Sequence, residues 1–357
     1  MDTKGLVCFL SAADSPWGAE HSLRTIAGGL RELGYECRAL VSSRVVAEFL
    51  NPAFPSPPHS VEARGNRLLR LWRLYQALRQ LPQGASVVLF SLQLVPIAAL
   101  LRTLSRGRYH VVLDLHDVPQ DRFDKIAVWM SSPFLHRTIA ISQYVKESVA
   151  MMGDVVVVPR PVDEASYRAS RDSKQFHIGI VGRLDREKRI DVAIRAVANA
   201  DSRMILHVYG SPMIDGAEYV SELRGLADHV APGRVLFHGT QPKSVIYKNL
   251  DVLLVTNDLE PSGRSVGEAM MAGVVALVPD DGGASEFFVN GESGLTYKSG
   301  DSEDAGRVLQ SLANRELDLG LMNDNARKHI RATRSVGRVA IDYSQALVRR
   351  RAIKETR

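Results

Sequence analysis

Apolar residues fall along this chain in short unbroken runs. GLVCFL, ECRALVSS, SVVLFS, YHVVLDLH, TIAIS and VVVVP follow one another, rich in valine and leucine. Runs of this kind mark strands buried on both faces, as in a parallel sheet. Between them lie amphipathic stretches such as Glu20 to Leu33, which Gly34 ends. A second series, FHIGIVG, MILHVYG, RVLFHG, DVLLVT and VVALVP, repeats the pattern, each run closing on Gly, Thr or Pro where a strand gives way to a loop. Alternating strands and helices predict an α/β chain with two doubly wound halves. The polar, irregular stretch from Pro159 to Gln175 reads as their junction. The expected layout is a first domain over 1–160, a linker over 161–175 and a second domain over 176–334. A helical tail over 335–357 is expected to pack back on the first domain. Asn51 to Ser60 holds four prolines and reads as a loop. Ligands of such sheets bind beyond the carboxyl ends of the strands, so a shared interdomain cleft is expected.

Composition narrows the picture. A chain of 357 residues is long for one core and comfortable for two. Hydrophobic residues at 45% and charged residues at 24% are ordinary globular values. No stretch of about 18 uncharged apolar residues occurs, so no spanning helix is expected. The first apolar run is too brief for a signal peptide and reads as a first strand. Cys8 and Cys37 each sit in a strand expected to be buried, and free thiols are the natural reading unless those strands are neighbours. So few thiols suit a reducing cytoplasm. The net charge of +5 fits anionic ligands or a membrane surface. No zinc spacing, helix-turn-helix cue or aromatic nucleic-acid motif accompanies it, so no nucleic-acid partner is expected.

The chemistry concentrates between Asp251 and Tyr297. After the strand DVLLVT come Glu260, a glycine turn at Gly263, and Glu268 on the following helix. Ser262, Gly263, Arg264 and Ser265 open that helix, where backbone N–H groups and the helix dipole favour a diphosphate. Glu268, just inside it, can accept hydrogen bonds from ribose hydroxyls. Taken alone, two glutamates at this spacing also suit a pair of solvated acids flanking a helix.

They do not stand alone. EPSGRSVGEAMMAG resembles the acidic donor motif of the retaining family 4 glycosyltransferases, whose fold is called GT-B. DDGGASEFFVNGESGLTY resembles that family's next loop and turn, with Gly282, Gly283, Glu286, Gly291 and Gly294 in place. HIGIVGRLDREKRIDVAIRAVANA is similar to its strand and helix with a paired arginine and lysine, which here are Arg183 and Lys188. A departing nucleoside diphosphate builds negative charge on its β-phosphate, and two fixed cations stabilise it. The bland alternative is a solvated charge run. In the first half, SPWGAEHSLRTIAGGLRELGYE resembles the family's opening loop and helix, with Gly18 where the backbone approaches the donor. LDLHDVPQ resembles the strand end whose histidine contacts the transferred sugar, here His116. Three positions depart from the family: Arg189, where glycine is frequent; Arg160 and Pro161, in place of asparagine and glycine; and Trp17, in place of glycine.

The resemblance implies retaining transfer from a nucleotide-diphosphate-sugar, UDP- or GDP-linked, to a hydroxyl of a glycan, a lipid-linked or a small-molecule acceptor. The leaving phosphate would take the acceptor proton, Glu260 would hold sugar hydroxyls and offset oxocarbenium charge, and His116 would fix another hydroxyl. No cofactor is implied, since the nucleotide-sugar is a substrate. No metal is expected either, because the chain has no pair of aspartates with one residue between them. The rival readings are a non-catalytic nucleotide-sugar-binding relative, or another GT-B enzyme such as an epimerase or an inverting transferase. One further stretch stands out. From Arg64 to His110 there are eight arginines and no acid, and RLLRLWRLYQALRQL reads as a helix within it. The arginines do not gather on one helical face, which favours a packed helix with solvated tips. The functional alternative is peripheral contact of a cytoplasmic enzyme with an anionic membrane.

Overall fold

The computed structural model describes residues 4–61, 67–104, 107–119, 122–164, 174–212 and 216–348, with backbone alone for 67–71. The chain forms two compact units, Met1–Pro161 with Val336–Arg357, and Val162–Ser335. The division falls at the start of the stretch read as a linker. Val162 and Glu164 belong to the second unit, where Val162 donates to the Arg334 carbonyl and Glu164 pairs with Arg331. Residues 165–173 of that stretch lie outside the described residues.

The first unit runs β1 (Leu6–Ser11), α1 (Gly18–Glu32), β2 (Glu36–Val41), α2 (Arg44–Leu50), β3 (His59–Ser60), α3 (Arg67–Leu78), β4 (Ser86–Leu89), α4 (Val95–Leu104), β5 (His110–Leu115), α5 (Arg122–Ser131), β6 (Arg137–Ala140), α6 (Gln143–Ser148) and β7 (Val155–Val157). Its strands pair in parallel in the order β3-β2-β1-β4-β5-β6-β7, so the winding reverses between β1 and β4. Successive residues of β1 enter different cores. Leu6, Cys8 and Leu10 face one layer, Val7 and Phe9 the other. Both faces are covered, which is why the strands read as unbroken apolar runs. β3 lies in the proline-rich stretch read as a loop. Its two residues were too few for a hydrophobic pattern, and pairing with β2 alone makes it a strand.

Cys8 and Cys37 sit on paired neighbouring strands, yet their side chains point to opposite faces of the sheet. Both are free, and burial pushes each thiol up to about 12.

The second unit runs β8 (Phe176–Val181), α7 (Ile190–Ala198), β9 (Met204–Tyr209), α8 (Ala217–Val230), β10 (Val235–Gly239), α9 (Lys243–Ile246), β11 (Val252–Leu254), α10 (Arg264–Ala272), β12 (Val275–Pro279), β13 (Leu295–Tyr297), α11 (Ser302–Ala313) and α12 (Leu319–Arg334). Its parallel order is β10-β9-β8-β11-β12-β13, with the reversal between β8 and β11. β13, which the sequence presents only as part of a turn, adds a three-residue edge to β12. Near the other edge, the rings of His177, His207 and His238 link through nitrogens 2.9 Å apart. Burial, then the flanking His177 and His238, holds His207 down to about 4, so the middle ring is neutral at neutral pH.

The last helix, α13 (Val336–Ala346), belongs to the first unit and packs on α1. Gly29 of α1 permits the close approach, because a Cβ there would lie 2.8 Å from that of Ala340. α13 also delivers Tyr343 to a buried polar cluster. Asp114, wholly buried in β5, receives both guanidinium nitrogens of Arg160 and the Tyr343 hydroxyl, the latter at 2.7 Å. Arg160 also lies over the Phe90 ring at 5.1 Å. Burial, and then the Asp114 charge, pushes the Tyr343 phenol far above its usual range, so it stays a donor. The arginine that departs from the family pattern is therefore the counter-ion of a core carboxylate. Arg160→Met is expected to cost about 3–5 kcal/mol, because it leaves that carboxylate buried without its cation. Adding Asp114→Leu should restore most of the loss, and urea unfolding of the single and double variants checks both.

Candidate active site

The carboxyl ends of β8 and β11 flank the point where the second sheet reverses, the usual place for a ligand in such a sheet. β8 leads through Gly182 to Arg183, then to a 3-10 turn over Arg186–Lys188 and into α7. β11 leads through Thr256, Asn257, Asp258 and Glu260 to α10. The Thr256 hydroxyl donates to the Lys188 carbonyl at 2.6 Å and so ties the two loops together.

Lys188 and Glu260 meet. Nζ lies 2.6 Å from Oε2, with both side chains largely buried. Asn257 Nδ2 donates to the same oxygen at 3.2 Å, and the Gly263 N–H donates to Oε1 at 3.2 Å. Gly263 is the left-handed N-cap of α10, with φ +81°, and no side chain caps the helix. The Glu260 carboxylate thus lies at a helix N-terminus, where the dipole favours negative charge. The loop after β12 supports this turn from below, since the Gly283 N–H donates to the Glu260 carbonyl at 2.8 Å. A Cβ at Gly282 would come within 2.9 Å of the Asp258 carbonyl oxygen, so a larger residue would push the loop away.

Glu268 faces three partners. Lys243 Nζ lies 2.6 Å and Arg264 Nε 2.8 Å from Oε1, and the Tyr247 hydroxyl donates to Oε2 at 3.2 Å. Burial is the largest influence on its carboxyl and pushes it up. The Arg264 and Lys243 charges together outweigh burial and hold it below the usual range. Ser262 is buried and Ser265 contributes its carbonyl to the Tyr247 hydroxyl at 3.4 Å.

The two cations that the sequence paired go to different carboxylates. Arg183, half-exposed, lies 3.3 Å from Asp185 and 3.7 Å from Glu187, while Lys188 goes to Glu260. Arg189 adopts φ +45°, ψ +47°, the left-handed conformation that glycine takes most easily, and its side chain pairs with Asp258. The family's frequent glycine at this position thus has a backbone reason.

In the first unit, Gly18 is the first residue of α1, and a Cβ built on it meets no atom within 4 Å. The protein itself leaves room there for a side chain. The turn before it is organised by Glu20, a buried acid that sequence reasoning did not single out. Glu20 accepts the Ser11 hydroxyl at 3.0 Å and the Trp17 N–H at 3.1 Å. Its one sequence signal is its place three residues after the N-cap, the position a capping acid takes. His116 follows the last residue of β5. Its ring is mostly buried, 5.1 Å from the Phe90 ring, with Nε2 3.9 Å from Asp117 and no protein partner for Nδ1. Lys243, Tyr247, Asn257 and Asp258 were also missed, the first two because they come from a separate helical segment that no local motif marks.

Two family models match the chain, glycosyl transferases group 1 over residues 163–329 and glycosyltransferase family 4 over residues 17–166. Among curated proteins, the D-inositol 3-phosphate glycosyltransferase of Rhodococcus jostii is 29% identical over 181 residues, 48% of this chain and 40% of the relative. Its counterpart from Rhodococcus erythropolis is 30% identical over 48% of this chain and 41% of its own length. The matched segment therefore spans less than half of these relatives. Among solved structures, Anabaena HepE in complex with UDP and glucose superposes with a TM-score of 0.84 at 19% identity, over 96% of this chain and 99% of that one. The lipopolysaccharide outer core galactosyltransferase WaaB, in its apo form, reaches 0.77 at 18% identity over the same shares. At these identities the likeness is one of fold. Fold and site together define a GT-B protein with an acidic and cationic cluster at the switch point of its second unit. The chain belongs to the family 4 glycosyltransferases.

The depressed Glu268 carboxyl makes a measurable pH signature. A carboxyl lowered in the folded state stabilises fully above its unfolded value of about 4.3, and the gain is lost as pH falls through the lower folded value. Glu268→Gln should therefore lower the melting temperature near neutral pH by a few degrees. The difference from wild type should shrink toward zero in acid, as thermal scans across that range would record.

Proposed function

We propose that the chain is a retaining glycosyltransferase that moves a hexose from a UDP- or GDP-linked donor to a hydroxyl of a glycan, a lipid-linked or a small-molecule acceptor, without a metal. The observation that carries this reading is the Lys188–Glu260 pair at the N-terminus of α10, with Glu268 inside the same helix. A diphosphate arriving there meets a lysine and a helix dipole, both already positioned. Lys188 would share its charge between Glu260 and the β-phosphate, and Arg183 would leave Asp185 and Glu187 to grip phosphate oxygens. Glu260, freed in part, would accept sugar hydroxyls and offset oxocarbenium charge. Glu268 would take the ribose hydroxyls on the oxygen that now receives Tyr247. The C–O bond to the leaving phosphate breaks as the acceptor oxygen bonds to the same face of the anomeric carbon, and the acceptor proton passes to the departing phosphate oxygen. His116 is assigned the holding of a further hydroxyl, and Gly18 the close approach of the donor. The UDP and UDP-glucose complexes of the Anabaena neighbour support the donor class by analogy of fold.

Lys188→Ala should cut turnover by about two to four powers of ten while the fold survives, as loss of a charge contact in the transition state does. Glu268→Ala should weaken UDP or GDP alone in calorimetry, whereas Glu260→Ala should hurt the intact sugar donor more. Activity should persist in excess EDTA, and the product should keep the donor's anomeric configuration by NMR. A folded Lys188→Ala protein with near wild-type rate would sink the assignment. Nucleotide binding without turnover of any sugar donor would favour the non-catalytic reading.

A further inference from the structure

The helix α5, RFDKIAVWMS, is turned inside out. Val128 and Ser131 face the core, with Asp124 half-buried beside them. Its large apolar side chains face away, with Phe123 66%, Ile126 49%, Trp129 52% and Met130 61% exposed. These four recur at spacings of three and four, so they share one face of the helix. A contiguous apolar face rimmed by charge marks a surface that something covers. Arg122 and Lys125 stand exposed beside it, and the Arg122 guanidinium lies 5.1 Å over the Phe123 ring.

The neighbouring helices extend the same character. α4 packs between α3 and α5 on one face of the sheet. Trp72 of α3 and Leu104 of α4 are about half exposed. Arg73, Arg79 and Arg102 lie at the surface with them. Across the three helices the sequence holds six cations and one acid, the inward-lying Asp124. The arginine-rich stretch that drew attention in the sequence is therefore the flank of the patch. Its apolar centre lies on a helix that carried no such signal. Arg64 and Arg106 lie outside the described residues, as do the side chains of Arg67 and Arg70.

We infer that α5 is an interfacial helix that docks on an anionic lipid surface, with Phe123, Ile126, Trp129 and Met130 entering the headgroup boundary while Arg122, Lys125, Arg73 and Arg102 meet lipid phosphates. Two features select lipid over a protein partner. Apart from the Trp129 indole N–H, the outward stripe offers no group for directional hydrogen bonds, and it is one helix about 15 Å long and about 10 Å across, so its face covers roughly 150 Å². That is short of the roughly 800 Å² per side that stable protein interfaces bury. Aromatic and aliphatic side chains flanked by cations are what a helix lying in a membrane interface presents. The inference names the membrane side of the transferase reading and rests on that reading for its purpose, a lipid-borne acceptor, though not for the binding itself.

The full chain should sediment with phosphatidylglycerol-containing vesicles at low salt, bind pure phosphatidylcholine weakly, and release as salt rises. Phe123→Ser/Trp129→Ser should weaken that binding by at least about tenfold, and Arg122→Gln/Lys125→Gln should weaken it in proportion to anionic lipid. In a Trp17→Phe/Trp72→Phe background, Trp129 emission should shift to the blue on vesicle addition. An unchanged far-UV circular dichroism spectrum and melting temperature of the serine variant show that the fold is intact. Absence of binding to anionic vesicles, or equal binding by an intact serine variant, overturns the inference. So does a wild-type dimer in sedimentation velocity that the serine substitutions dissociate, since the stripe then belongs to a second copy. Failure of the wild type to bind any nucleotide would sink the transferase reading and leave the vesicle result standing.

Discussion

Parallel strands buried on both faces leave a chain few places for chemistry. A polar group inside such a sheet must be fully paired, and reactive groups must collect where the strands end. Both rules are visible in this molecule. One charge buried within the first sheet, Asp114, is met by Arg160 and Tyr343. The charges at the carboxyl ends of the second sheet stay partly open to solvent and are traded among neighbours: Lys188 with Glu260, Arg189 with Asp258, Arg264 and Lys243 with Glu268. Removing one partner should unfold the first kind of cluster and should re-tune binding in the second.

In the second cluster, carboxylates fix the cations in place. Lysine and arginine on loops lose rotamer freedom when they are fixed for a ligand, and that entropy opposes binding. Carboxylates that grip them beforehand remove part of the cost. Glu260 also places its own negative charge at the helix terminus where a phosphate would bind. In the proposed reaction a diphosphate would compete with this internal anion for Lys188 and the helix terminus.

The first unit sets a different balance. Its sheet is covered on one face by α3, α4 and α5, which bury enough apolar surface to complete the core. Four large apolar side chains of α5 are surplus to that need and face outward. Amphipathic helices normally turn such residues inward, so the inversion answers to something beyond the fold. The adjoining cations give it a direction.

Much of this architecture was legible in the chain. Unbroken apolar runs named eleven strands because burial on both faces imposes that composition, and the two short edge strands, β3 and β13, escaped because pairing alone defines them. The motif from Glu260 to Glu268 was legible because part of its geometry is local: Asn257 and the Gly263 N–H on Glu260, the helix start, and Arg264 on Glu268. What the sequence could not determine was which groups from distant segments would meet. Lys243 and Tyr247 reach Glu268 from a separate helical segment, and Lys188 chooses Glu260 while Arg183 turns to Asp185. Arg160 looked like a departure from a family pattern until Asp114 appeared beneath it. The orientation of α5 was hidden for the same reason. A sequence gives the spacing of apolar residues around a helix, but only packing decides which side of that helix the core takes.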